Sequence, residues 1–212
     1  DFGIAFDGDG DRVVFVAKDG SKLKPEQASY VMLSELLKTQ KGKLLANVEC
    51  SRLIDDVAKK FGTEVIRFSV GHTFLLDSIS KNTDSVFAVE SSGHYVIPSL
   101  SAFDDAISVA LYFACVLHKS GRLLEQMLKE LPQYQNDRIN LHCSDEKKFE
   151  VMEKLKTKFS SEYENTDVMD GIRVNLANGW ALIRHSNTEP VIRLTVEANS
   201  EAELGSIKSR FE

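Results

Sequence analysis

The sequence predicts an α/β protein in two parts: a mixed, mainly parallel sheet with helices on both faces, followed by a smaller α+β domain with an antiparallel sheet. Three observations carry this. From Leu23 to about Leu131, short β-like runs alternate with helical patterns, the grammar of βαβ units around a covered sheet. A helix that stops before Pro132 gives way to the polar run QYQND, which reads as a linker. Beyond it the alternation is replaced by closely spaced strands and the turn signal Asn178-Gly179.

The elements follow in order. FGIAF and VVFVA are strand-like runs on either side of FDGDGDR, residues 6–12. KLLANV, EVIRF and SVFAV are the next strands, and the helices are Pro25 to Gln40, Ser51 to Phe61 and Phe103 to Ser120. Pro25 suits a first helical turn, and Gly42, Gly62 and Gly121 stand where helix C-caps are wanted. The stretch ISVALYFACVL is apolar nearly all round, which predicts a buried helix. RLLEQMLKELP is the helix before the linker. In the second part the strand RINLHC leads to Ser144, a plausible N-cap with Asp145 and Glu146 at the positive end of a helix running to about Tyr163. GIRVNL, WALIR, the loop HSNTEP, VIRLTVEA and a last helix from about Ser200 complete the chain.

Composition bounds the function. With 212 residues, 42% of them hydrophobic and 27% charged, the chain has the balance of a soluble globular protein and the length for two domains. Neither a secretory signal pattern nor an apolar run near the roughly 20 residues of a membrane span is visible. The expectation is a cytoplasmic protein with no membrane partner. A net charge of −6 argues against a nucleic-acid partner, because affinity for the phosphate backbone rests on clustered Lys and Arg. Cys50, Cys115 and Cys143 are odd in number and too far apart for a CxxC motif, so reduced thiols are expected. The chain starts at Asp1, without Met and just before an apolar run, which predicts a missing N-terminal portion.

Four stretches concentrate chemistry. In FDGDGDR one Asp-Gly pair would make a hairpin tip, but Asp7, Asp9 and Asp11 at alternate positions repel one another unless a cation neutralises them. Oxygen ligands select magnesium or calcium over zinc. An EF-hand needs Gly where Arg12 stands, Glu where Lys18 stands, and helices where this chain has strands. VESSGHY, residues 89–95, follows the strand SVFAV, so Glu90, Ser91, Ser92 and His94 fall at a strand's carboxyl end, where open α/β sheets bind ligands. A carboxylate and hydroxyls beside glycine suit the vicinal hydroxyls of a sugar. VGHT, residues 70–73, opens a helix whose N–H groups, with His72, suit an anion. In RHSNTEP, residues 184–190, the Arg184 fork with Ser186, Asn187 and Thr188 holds the parts of a phosphate cradle.

Taken together and in order, DGDGDR, VGH, VESSGH, AFDD and RHSNTEP resemble the α-D-phosphohexomutase family, the phosphoglucomutases, phosphomannomutases and phosphoglucosamine mutases. The resemblance spans essentially the whole chain. It implies that residues 1–20 are the end of domain 2 with its metal loop, 21–133 a sugar-binding domain 3, and 134–212 a phosphate-binding domain 4. It further implies that the phosphoserine lies in missing N-terminal domains, which would be this chain's partners, and that the chain is inactive alone. Asp7, Asp9 and Asp11 would bind Mg2+, and Arg12 and His72 would be catalytic. Glu90, Ser92, His94, Arg184, Ser186, Asn187 and Thr188 would bind a hexose phosphate. Val89 and Glu49 depart from the family pattern, which more often has Gly before the sugar-loop Glu and, in some members, a functional Lys in the segment matching NVECS. Two other functions fit parts of the chain: a magnesium-dependent phosphatase with an aspartate nucleophile, and a non-enzymatic sugar-phosphate-binding module.

Overall fold

Strands rich in Val, Ile and Phe open the computed structural model, which describes residues 2–212. β1 (Gly3–Phe6) pairs antiparallel with β2 (Val13–Val16), so that Phe6 stands opposite Val13 across the aspartate loop. β2 buries Val13 and Phe15, whereas β1 is exposed along its whole length. The chain divides into two units, Asp1–Pro132 and Gln133–Glu212.

In the first unit the elements after the hairpin are α1 (Pro25–Thr39), β3 (Lys43–Asn47), α2 (Leu53–Phe61), β4 (Val65–Phe68), α3 (His72–Lys81), β5 (Ser85–Val89), β6 (Tyr95–Val96), α4 (Ala106–Ser120) and α5 (Leu124–Leu128). The sheet order is β4-β3-β5-β6, with β3 parallel to β4 and to β5, and β6 antiparallel to β5. This is the mixed, mainly parallel sheet the sequence predicts. β5 is buried throughout and β3 almost so, as parallel strands covered on both faces must be. α3 covers one face, where Leu45, Phe68, Leu75, Ala88 and Val96 form one cluster. On the other, α1 packs against β5 and α4, and Phe113 of α4 stacks on Phe15 of β2 with ring centroids 4.0 Å apart.

Several local expectations are corrected. Gly62 and Gly121 cap α2 and α4 in the left-handed conformation, but the C-cap of α1 is Gln40, in extended backbone, and Gly42 is not a cap. A Cβ on Gly42 would lie 2.2 Å from the Asp84 carbonyl, so glycine is needed there for a close approach at the start of β3. α4 starts at Ala106, three residues later than expected, because Asp105 caps it by accepting from the N–H groups of Ile107 and Ser108. Nor is α4 buried all round: Val109, Ala110, Phe113 and Val116 face inward, while Ile107, Leu111 and Cys115 are exposed. All three cysteines are free thiols.

The second unit contains β7 (Gln135–His142), α6 (Asp145–Glu162), β8 (Thr166–Asp167), β9 (Ile172–Leu176), β10 (Gly179–His185), β11 (Val191–Ala198) and α7 (Glu201–Phe211). Its sheet, β7-β11-β10-β9-β8, is antiparallel throughout, as expected. Alternate residues Ile172 and Val174, Ala181 and Ile183, and Leu194 and Val196 form one core with Met152 and Phe159 of α6 and Ile207 and Phe211 of α7. β7 reaches back to Gln135, so most of the predicted linker is strand. Asn178-Gly179 is not a type I′ turn. Ala177 and Asn178 join β9 to β10 without a positive φ, and Gly179 already pairs with Ala198. A Cβ on Gly179 would lie 2.0 Å from the Glu197 carbonyl, which explains the glycine by close strand approach. Among the described residues, no helix is long and apolar enough to cross a membrane.

Candidate functional site

The first unit gathers its polar loops at the carboxyl ends of β3, β4 and β5. Glu90, directly after β5, is 1% exposed and ties them together. Its Oε1 accepts from Asn47 Nδ2 at 3.1 Å, at the end of β3, and from Gly71 N at 3.0 Å, at the start of α3. Its Oε2 lies 3.1 Å from His94 Nδ1. Burial pushes the Glu90 carboxyl up, and His94, the Gly71 N–H and Asn47 outweigh it, so the group stays below the ordinary carboxylate value. The sequence singled out Glu90 as a sugar ligand and the VGH helix start as an anion site. In the structure the Glu90 carboxylate sits on that helix start, with Ser92 exposed at the loop tip and Ser91 bonded to Glu49.

His94 joins this loop to the aspartate loop. Backbone bonds stitch the two: Arg12 forms a β-bridge with His94, and Val13 N donates to Gly93 O at 3.1 Å. Gly93 has φ +94°, and a Cβ there would meet Val13 O at 3.1 Å, so the join depends on glycine twice over. His94 Nδ1 faces Ser92 Oγ at 2.8 Å, and Nε2 faces Asp11 Oδ2 at 3.3 Å. Burial pulls the imidazole down, but Glu90, Asp11 and Asp104 hold it above its ordinary value. His72, the first residue of α3, lies with Nδ1 2.7 Å from Asp104 Oδ2. Asp104 has no role in the sequence reading beyond the FDD motif. Only the cap made by its neighbour Asp105 hints that the pair divides its labour, one carboxylate capping α4 and the other reaching His72.

Asp7, Asp9 and Asp11 each place a carboxylate oxygen within 4.8 Å of the others. Arg12 offsets one charge, its Nε 2.5 Å from Asp7 Oδ2 and 3.7 Å from Asp11 Oδ1. Burial pushes Asp7 up and Arg12 outweighs it, bringing the carboxyl to about 2. Negative charge remains in surplus, and Asp11 Oδ1 is buried without a hydrogen-bond partner. An all-oxygen set with an orphaned acceptor fits a hard divalent cation such as Mg2+.

In the second unit the 186–190 loop joins β10 to β11. Ser186 Oγ accepts from Thr188 N and Glu189 N at 3.3 and 3.1 Å, a local turn that leaves Asn187 and Thr188 exposed. Arg184, 2% exposed, stands directly across from Arg193, and like charges so placed repel. Each has a carboxylate partner, Asp170 for Arg184 at 3.3 Å and Glu189 for Arg193. Buried Lys148, on α6, donates to Ser186 O at 3.0 Å and pairs with Asp145. The sequence reading missed Lys148, Asp170 and Asn47, since each acts through contacts distant in the chain. His185 reports the local field: burial, Lys148 and Arg184 outweigh Asp170 and hold it below its ordinary value.

Comparison with known proteins places both units. Residues 24–134 match the family described as phosphoglucomutase/phosphomannomutase, alpha/beta/alpha domain III, and residues 139–212 match its C-terminal domain. The chain belongs to the phosphoglucomutase/phosphomannomutase family. It is 37% identical to a probable phosphoglucosamine mutase of Methanopyrus kandleri, across 100% of this chain and 47% of that protein. A phosphomannomutase/phosphoglucomutase of Pseudomonas putida is 35% identical, across 100% and 46%. The crystal structure of a family protein from Burkholderia thailandensis superposes with a TM-score of 0.85 at 26% identity, covering 100% of this chain and 45% of that one. The chain thus spans about half the length of the curated relatives it matches.

Proposed function

We propose that the chain is the C-terminal part of a phosphohexomutase, an enzyme that reversibly moves phosphate between C1 and C6 of a hexose phosphate through a bisphosphorylated sugar. The observation that carries the reading is the backbone join of the aspartate loop to the sugar loop, Arg12 against His94, in a chain of this family. The names of the similar proteins support a glucose-, mannose- or glucosamine-type substrate.

Asp7, Asp9 and Asp11 would hold Mg2+, which when bound supplies fixed positive charge for phosphate oxygens. Arg12, half exposed and anchored on Asp7, presents its guanidinium to a phosphate at that loop. Ser92 meets sugar hydroxyls. Glu90, closed off from solvent, orients His94 and fixes the loop. His72, backed by Asp104, is held to give or take a proton at Nε2. In the second unit Asn187 and Thr188 receive the phosphate not being transferred, with Arg184, Ser186 and Lys148 shaping the loop behind them. The parent's remaining domains would supply the phosphoserine and cover β1 and the exposed Ile107 and Leu111.

The test is interconversion of hexose 1-phosphate and 6-phosphate by the full-length protein, abolished by Asp9→Asn and absent from the 212-residue chain alone. Hydrolysis of a simple phosphomonoester by that chain, lost in Asp7→Asn, would instead establish an aspartate-nucleophile phosphatase.

A further inference from the structure

Ser186 heads the loop between β10 and β11 and has no exposed surface. Its polar groups are all engaged. The N–H donates to Val191 O at 2.9 Å, Oγ accepts from Thr188 N and Glu189 N, and the carbonyl accepts from Lys148 Nζ at 3.0 Å. These bonds occupy the backbone donors of Ser186, Thr188 and Glu189, and Pro190 has none. The N–H of the loop left for a ligand is that of Asn187, an exposed residue.

We infer that Lys148 is a positioning residue for the phosphate held by the second unit: by gripping the Ser186 carbonyl it turns the Ser186–Asn187 peptide so that the Asn187 N–H faces the anion. The inference rests on the proposed reading of the 186–190 loop and names the group that aims it.

The direction follows from covalent geometry. The described residues contain no cis peptide bond, and in a trans peptide the C=O and the following N–H point opposite ways across one plane. Ser186 O points to Lys148 on α6, so the Asn187 N–H points away from α6. Ala181 and Ile183 of β10 face the core that Met152 and Phe159 of α6 complete. Side chains alternate along a strand, so Arg184 stands on the other face. The free donor is therefore turned toward the side of the sheet that carries the Arg184 guanidinium. Turned the other way, the same peptide would present a carbonyl oxygen to the anion and repel it.

Lys148 suits this task because it is only 6% exposed and sits in the first turn of α6, behind the peptide rather than in front of it. A bond from a charged donor to a buried carbonyl is stronger than a neutral one, which holds the peptide against flipping. Asp145 competes for the ammonium, 2.6 Å from Nζ, but its side chain is 70% exposed, so water weakens its hold.

The experiment titrates the isotope-labelled 212-residue chain with inorganic phosphate and follows its backbone amides by NMR. Expected is a saturating downfield shift of the Asn187 amide. Lys148→Met keeps the length of the side chain and removes its charge. It should bind phosphate roughly tenfold more weakly and lose most of that shift, while unmoved amides of Val174, Ala181 and Val196 report an intact core. Asp145→Asn releases Lys148 from its competitor, so phosphate should bind about two- to threefold more tightly. This exposed substitution decides the matter if Lys148→Met misfolds. Phosphate bound by Lys148→Met as tightly as by the unsubstituted chain, weaker binding by Asp145→Asn, or an Asn187 amide unmoved by phosphate that shifts Thr188 would each overturn the role of Lys148 and leave the phosphate reading of the loop standing. Absence of any response at residues 186–190 would overturn both.

Discussion

Gly93 shows how much a single residue controls here. It combines a left-handed backbone with a 3.1 Å approach to Val13 O, whereas Gly121 has the same kind of φ with open space around it. Gly121→Ala should cost about 1–2 kcal/mol for the left-handed conformation alone. Gly93→Ala should cost roughly 1–3 kcal/mol more, because a backbone carbonyl has to give way. Urea unfolding of the two variants measures the difference. His185 offers a second test at this scale. Its imidazole sits below the ordinary value, held there by burial and by Lys148 and Arg184. An anion bound at the 186–190 loop would offset those cations and favour the imidazolium. In an NMR titration, saturating inorganic phosphate should therefore move the His185 midpoint upward, and an unmoved midpoint would count against a phosphate at this loop.

At the scale of elements, Glu130, just after α5, ties two helices to the turn that precedes α5. It accepts from Tyr30 of α1, from Lys60 of α2 and from Arg122, which precedes α5. Bonds from Tyr30, Lys60 and Arg122 bring its carboxyl from 4.5 to about 2. As pH falls below the ordinary carboxylate value, the unfolded chain takes up this proton before the folded one, so stability is lost between the two values. Glu130→Gln should be less stable than the parent sequence at neutral pH and should approach it as pH falls toward 2, in urea unfolding across that range. The clamp illustrates what the sequence hides, since Tyr30 and Glu130 are 100 positions apart. Apolar runs, Pro25 and the glycine caps at Gly62 and Gly121 made nearly every strand and helix legible, because those signals are local. Gly42 and Gly179 misled because a glycine wanted for close strand approach looks the same in sequence as one wanted for a turn. The FDGDGDR, VESSGHY and RHSNTEP loops were legible as motifs. That Glu90 is buried, that Asp104 backs His72 and that Lys148 supports the 186–190 loop depends on long-range contacts no spacing reveals.

On the scale of the whole molecule, the chemistry is divided between two units with separate cores, and the division has a thermodynamic signature. The aspartate loop and the His–Asp cluster belong to the first unit, and the 186–190 loop to the second. A ligand stabilises what it binds by RT ln(1 + [L]/Kd), about 2.7 kcal/mol at a hundredfold excess over Kd. That free energy is confined to the elements that unfold with the site, since proteins open in cooperative units and a chain with two cores need not unfold in one step. Hydrogen exchange should therefore respond in two separate patterns. Mg2+ should slow exchange in β2, β3 and β5, and Asp9→Asn should remove that protection. Inorganic phosphate should slow exchange in β10 and β11, and Asp9→Asn should leave that protection unchanged. If either ligand protected both sets of strands equally, the chain would be acting as one cooperative body, and the assignment of metal chemistry to one unit and phosphate grip to the other would fail with it.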